Sequence, residues 1–232
     1  MTAIGSSSSP STRTVERALA LLAQVCSEES LSLSESARRV HLPPSTALRL
    51  LRTLESAGFV TRAADGSYSA GIKVIQLGAA ALGRQSLVRV AEPGLQRIVA
   101  RTGESAYLAI PGADQTAVFI AMVEGTHPIR HTSWVGRAIQ LGELAVGRAL
   151  RGDVTDAGYA VYRDPESPDV TGIAAPIRWA GGIAGALNLV GPTYRIDETT
   201  AEQYGEIVRR EADLVAVQLG APGTTRRKAT GS

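Results

Sequence analysis

Residues 42–60, LPPSTALRLLRTLESAGFV, constrain this chain more than any other stretch. Ala47, Leu50, Leu51 and Leu54 fall on one side of a helix that opens at Pro44 and closes before Gly58. Proline suits the first helical position, where no N–H is needed, and glycine suits the left-handed cap that ends a helix. Ser45, Arg49, Arg52 and Ser56 recur at i, i+4, i+7 and i+11 along the other side. Such a helix must rest its leucines on neighbouring elements and hold its arginines outward.

The flanking sequence supplies those neighbours. Val15, Ala18, Leu19, Leu22, Val25 and Cys26 follow helical spacing and predict one apolar stripe. A second helix is predicted from Ser32, with Glu35 three residues later to complete a capping box, through Ala37 to Val40. It breaks at His41-Leu42-Pro43. After Gly58, FVTR and SYSA read as strands joined by an Asp65-Gly66 turn. Three helices, a tight turn before the third and a two-stranded ribbon make a winged helix-turn-helix, whose third helix enters the DNA major groove. Arginine offers two donors to the two acceptors of guanine, and N–H groups near a helix start suit phosphate. The competing reading is a solvated surface. An Arg52–Glu55 pair would be worth only about 0.2–0.5 kcal/mol, and Arg49 has no acidic residue at a favourable spacing.

Overall charge does not announce a nucleic-acid partner, since 24 basic residues face 22 acidic ones; the footprint must be local. The basic residues are arginines except for Lys73 and Lys228, a bias expected of a GC-rich bacterial genome. The lone Cys26 excludes an intramolecular disulfide and a cysteine-rich zinc site. Its LLAQVC context predicts a small buried hydrophobe. MTAIGSSSSPS lacks the features of a signal peptide, and no apolar run approaches the ~18 residues of a membrane span. A cytoplasmic protein without a membrane partner is expected.

The pattern divides the chain into a serine-rich tail (1–10), the winged helix-turn-helix (11–70), a linker helix (71–84), a second domain (85–220) and a basic tail (221–232). The linker GIKVIQLGAAAL leaves Ile72, Ile75, Leu77 and Ala79 available for burial. In the second domain AYLAI (106–110), AVFIAMV (117–123), IRHTSW (129–134), VTGIAAPI (170–177) and GALNLV (185–190) read as strands. Helices are predicted at 87–101, around 143–151 and at 199–219. Hairpins with flanking helices indicate an α+β domain with an antiparallel sheet.

No enzymatic constellation emerges. His127 and His131 lie roughly 13 Å apart if extended, too far to share a metal. AGGIAG (180–185) lacks the spacing of a phosphate loop, and no nucleophile elbow occurs. We therefore expect no catalytic residue, metal or cofactor. Trp134 is a candidate pocket wall, with core packing the simpler alternative.

At this point the residues resemble the isocitrate lyase regulator (IclR) type of bacterial transcription factor. The resemblance runs from about Thr12 to Leu219 through RTVERALALLAQV, LPPSTALRLLRTLESAGFV, YSAGIKVIQLG, ARTGESAYLAI, ELAVGRAL, GYAV and TGIAAPIRWAGGIAGALNLVGP. It implies a winged helix-turn-helix, a linker helix and a C-terminal curved antiparallel sheet flanked by helices, a GAF/PAS-like effector domain. It also implies double-stranded DNA as partner, palindromic operators, homodimers or homotetramers, and a small-molecule effector. Carried over by position, the DNA-binding residues are Pro44, Ser45, Thr46, Arg49 and Arg52, with Arg62 and Ser67 at the wing. The effector positions are Leu141, Ala145, Val146, Gly172, Asn188 and Val190.

Here the chain departs from the family. Gly142 and Leu144 stand where histidine and threonine are usual, Gly147-Arg148 replaces glycine-lysine, Gly172 replaces cysteine, and Asn188 and Val190 replace two serines. The helical segment after the glycine-lysine motif is reduced to RGDVTDA (151–157). Most donors for a small carboxylate are thus gone. Two readings stay open, a larger and more apolar effector or none. The alternatives to a regulator are a small-molecule-converting enzyme and a protein-interaction module.

Overall fold

The computed structural model describes residues 12–83, 86–131, 133–163, 169–179 and 181–220. The two stretches read as tails, 1–10 and 221–232, lie outside them. The chain forms two compact units, Met1–Arg84 and Gln85–Ser232.

The first unit contains α1 (Arg13–Cys26), α2 (Leu33–Arg39), α3 (Pro44–Ser56), a ribbon of β1 (Val60–Arg62) and β2 (Tyr68–Ala70), and α4 (Ile72–Gly83). Ser32 caps α2 by accepting from the Glu35 N–H. His41 takes a left-handed φ of 52° in the turn to α3, and Gly58 at 78° ends α3. Leu21, Val25, Ala37, Leu42, Ala47, Leu50, Leu51, Leu54, Val60 and Tyr68 form the core. Leu31 adds a two-way backbone bridge to Tyr68 that periodicity did not reveal.

The α1 stripe requires correction. Burial centres on Leu21 and Val25, with Ala18 and Leu22 at its margin. Val15 and Leu19 are 53% and 59% exposed, and Cys26 is exposed rather than buried. The reason is rotational: α2 and α3 cover one narrow side of α1, and Val15, Leu19 and Cys26 project beside it. In α4, Ile72, Ile75 and Leu77 are likewise exposed.

The second unit is a six-stranded antiparallel sheet in the order β5-β4-β3-β8-β7-β6. Its strands are β3 (Ser105–Pro111), β4 (Thr116–Val123), β5 (Ala138–Gln140), β6 (Ala160–Arg163), β7 (Val170–Trp179) and β8 (Gly182–Pro192). The helices α5 (Ser86–Thr102) and α7 (Glu198–Gln218) cover one face. There Ala106, Leu108, Ile173, Ala175, Leu187 and Leu189 alternate inward. The short α6 (Ala145–Arg151) covers the other face, which carries Tyr107, Ala109, Phe119, Ala174, Ala186 and Val190. This period-two alternation assigns each strand residue to one layer or the other.

One strand expectation fails, and one strand was not expected. None of the described residues of 129–134 is in a strand, because Ala138–Gln140 takes the outer edge of β4 instead. Ala160–Arg163, not expected as a strand, pairs with β7. No helix among the described residues is long and apolar enough to cross a membrane.

Candidate nucleic-acid face and candidate effector cavity

Each unit carries one candidate site. In the first, the buried leucines of α3 fix its rotation, so Ser45, Arg49, Arg52, Thr53 and Ser56 face solvent. With the half-buried Leu48, they line a shallow open groove along the helix. Pro44 stands at the first helical position, as its chemistry requires. Thr46 donates its N–H to Pro43 O at 3.0 Å, which leaves the Ser45 N–H as the open donor of the pair among the described residues.

The arginines of α2 and α3 differ sharply. Arg38 and Arg39 donate to Glu35, at 2.6 and 2.8 Å, and Arg39 also reaches Glu28 at 2.8 Å. These hydrogen bonds, Arg38's first and Arg39's second, hold the Glu35 carboxyl down at about 2. Arg49 and Arg52 have no acidic partner among the described residues, so the Arg52–Glu55 pair does not form. The helix therefore presents two uncompensated cations on the side its leucines leave free.

At the wing, Arg62 is exposed, with its guanidinium 5.8 Å from the Tyr68 ring centroid. Ser67 is engaged locally, its hydroxyl and N–H both donating to Asp65 at 2.7 and 2.9 Å. These bonds lower the Asp65 pKa and close the turn around Gly66. The sequence shows a serine at the wing; it does not show that the neighbouring aspartate occupies it.

In the second unit a cavity of about 200 Å³ lies against the α6 face of the sheet. Five of the six effector positions, Ala145, Val146, Gly172, Asn188 and Val190, meet on its wall. Leu141 is buried in the adjoining core and does not line it. Strand register explains the convergence: Gly172 pairs with Val190 and Tyr162 pairs with Gly172. Leu144 also lines it, as do Tyr162, Ile139 and Val170, whose place there had no sign in the sequence. Tyr162 would have followed from Gly172 had β6 been recognised.

The outer wall comes from the segment between β4 and β5. His131 and Trp134 stand edge to face at 4.3 Å, and Trp134 is backed by Phe119 at 5.9 Å. His131 Nδ1 is hydrogen-bonded to the Tyr107 hydroxyl at 2.6 Å. Burial first, and the Glu124 charge second, push the Tyr107 pKa up to about 12, so its hydroxyl stays protonated. A polar strap holds this segment down. Buried Glu104 accepts from Arg195 Nε and Nη2 at 2.8 and 2.9 Å, and Arg195 also donates to Ile129 O at 2.9 Å. Ser105 accepts from the Gly125 N–H and donates to His131 O.

Asn188 is the exception in this apolar layer. It is 3% exposed, and its side-chain amide has no hydrogen-bond partner among the described residues. No side-chain N or O among the described residues is both fully buried and without a partner, so the amide atoms of Asn188 open on the cavity that the residue lines, where a ligand or solvent can bond to them. A side chain at Gly172 would enter the same space, its Cβ coming 4.0 Å from Asn188 Oδ1. Gly147, by contrast, is a packing requirement, since a Cβ there would overlap the Leu141 carbonyl.

Comparison with known proteins places both sites in context. Residues 14–64 match the IclR helix-turn-helix domain, and residues 79–152 match the bacterial transcriptional regulator IclR C-terminal domain. The HTH-type transcriptional regulator BhcR of Paracoccus denitrificans is 28% identical, over 88% of this chain and 86% of the relative. The HTH-type transcriptional repressor AllR of Escherichia coli is 25% identical, over 89% of this chain and 90% of the relative. Among solved structures, an Alicyclobacillus acidocaldarius regulator superposes with a TM-score of 0.76 at 22% identity, covering 89% of this chain and 98% of that one. A Microbacterium hydrocarbonoxydans homologue complexed with 4-hydroxybenzoate superposes with a TM-score of 0.74 at 24% identity, covering 90% of this chain and all of that one.

Proposed function

Because this chain belongs to the IclR family of DNA-binding, effector-modulated transcriptional regulators, we propose that α3 reads a palindromic operator from the major groove. Pro44, Ser45 and Thr46 seat its start against phosphate, with the Ser45 N–H as donor. Arg49 reads a base edge, and Arg52 follows it along the groove. Arg62 meets backbone at the wing, while Ser67 keeps the turn closed. The observation that carries this reading is the contrast in charge. Arg38 and Arg39 are held by carboxylates, whereas Arg49 and Arg52 are left to the outside.

A palindrome is read by two copies about one helical turn apart. Exposed Val15 and Leu19 on α1, with Ile72 and Ile75 on α4, are the surface we assign to self-association. The cavity in the second unit is the effector site. Its ring-sized volume and the cavity-facing amide of Asn188 support that assignment, as does the structural neighbour complexed with a single-ring ligand. An effector shifts DNA affinity only through unequal binding to the two arrangements of the dimer. Nothing in this reading requires catalysis.

A salt titration tests the DNA assignment. Affinity for a duplex from the chain's own upstream region should fall linearly in log–log form with salt, because neutralised phosphates release counterions. A scrambled duplex should show a similar slope at weaker affinity. Equal affinity for the two duplexes would remove sequence-specific recognition; no salt-dependent binding to either would remove the DNA reading.

A further inference from the structure

Resting on the effector-site reading, we propose that the cavity takes a small neutral aromatic molecule bearing a group that can both donate and accept a hydrogen bond, and that it discriminates against the matching carboxylate. Three observations converge on this class.

The first is size and shape. A cavity of about 150 Å³ accommodates one benzene ring, and this one measures about 200 Å³. Three ring-bearing side chains, His131, Trp134 and Tyr162, stand on its wall. Aromatic walls favour a ring set edge-on or offset against them.

The second is charge. Among the described residues, no Asp, Glu, Lys or Arg lines the cavity. Arg148, which stands where the family pattern has lysine, pairs with Asp153 at 3.1 Å and is not on the wall. Arg163 donates to the Ile196 carbonyl at 3.1 Å. A buried carboxylate would therefore lose its hydration without gaining a permanent cation, the costly form of burial.

The third is Asn188. Its amide offers both donors and an acceptor, has no partner among the described residues, and, since no partnerless side-chain N or O there is fully buried, faces the cavity that this otherwise buried residue lines. It lies on the same face of β8 as the cavity-lining Val190, beside the opening left by Gly172. A primary amide or a phenol can satisfy this group; a carboxylate satisfies only its donor half.

Benzamide, benzoate and toluene separate these features, because they share a ring and differ in charge and hydrogen bonding. Binding is read from Trp134 fluorescence in the full-length Trp179→Phe variant, which removes the second of the two tryptophans. Benzamide should produce a saturable change, with a Kd at least about tenfold below those of benzoate and toluene. In the Asn188→Leu variant the advantage over toluene should vanish, while retained toluene binding reports an intact cavity. Benzoate binding as tightly as benzamide would overturn the neutral-ligand proposal and leave the effector site standing. Toluene binding as tightly as benzamide would overturn the role of Asn188 and the proposal with it. No saturable change with any of the three would overturn both the proposal and the effector-site reading beneath it.

Discussion

Arg38 and Arg49 are both surface arginines, and sequence separates them by spacing alone: Glu35 stands three residues before Arg38, whereas Arg49 has no acidic residue at a favourable spacing. In the structure Glu35 draws Arg38 and Arg39 into a fork, while Arg49 has no carboxylate partner among the described residues. This partition has a pH signature. The Glu35 carboxyl is held from its usual 4.5 down to about 2. A lowered folded pKa means that its stabilisation is fully present above 4.5 and is lost as pH falls through 2. Carboxyl NMR should find the Glu35 midpoint near 2; a midpoint near 4.5 would show that the fork does not persist. Periodicity identified the outward stripe of α3 because one helix carries the entire signal. It could not assign Ser67, whose hydroxyl bonds Asp65, because the preference for that partner over phosphate belongs to the folded turn.

Among elements, the segment between β4 and β5 shows where local pattern misleads. IRHTSW has the alternation and β-branched content of a strand, yet the β4 edge is taken by Ala138–Gln140. The intervening chain is held by side chains from distant positions: Glu104, Ser105 and Arg195. No local window contains both Glu104 and Arg195. Breaking a fully buried ion pair by removing one partner costs about 3–5 kcal/mol. Glutamine retains an acceptor and Arg195 is 22% exposed, so Glu104→Gln should lose about 2 kcal/mol in urea denaturation. A loss under about 0.5 kcal/mol, the scale of an exposed pair, would show that the strap contributes little. β6 was missed for a related reason: AVYR is short and gains strand character only by pairing with β7. The effector positions still converged, because Gly172, Asn188 and Val190 lie on β7 and β8, whose longer apolar patterns were legible.

For the whole molecule, the apolar residues left exposed on α1 and α4 set the next test. Val15, Leu19, Ile72 and Ile75 are each more than half exposed in the single chain, so a periodicity that reads as core burial in one chain is free for pairing between two. Leu19→Asp and Ile75→Asp should shift sedimentation toward the monomer and weaken operator binding, with each variant still folded by circular dichroism. An unchanged sedimentation coefficient in both would move the self-association surface elsewhere. The fold and the outward arginine stripe of α3 were legible from sequence because amphipathic helices and a turn encode them locally. The cavity needed register across three strands and a wall supplied by a segment whose described residues form neither helix nor strand.

Equilibrium binding of the wild type and Arg49→Ala to the upstream duplex and its scrambled counterpart tests the central claim most directly. The substitution should cost about 1–3 kcal/mol on the cognate duplex and distinctly less on the scrambled one, so that sequence discrimination narrows. Unchanged affinity on both, or an equal loss on both, would show that Arg49 does not read a base.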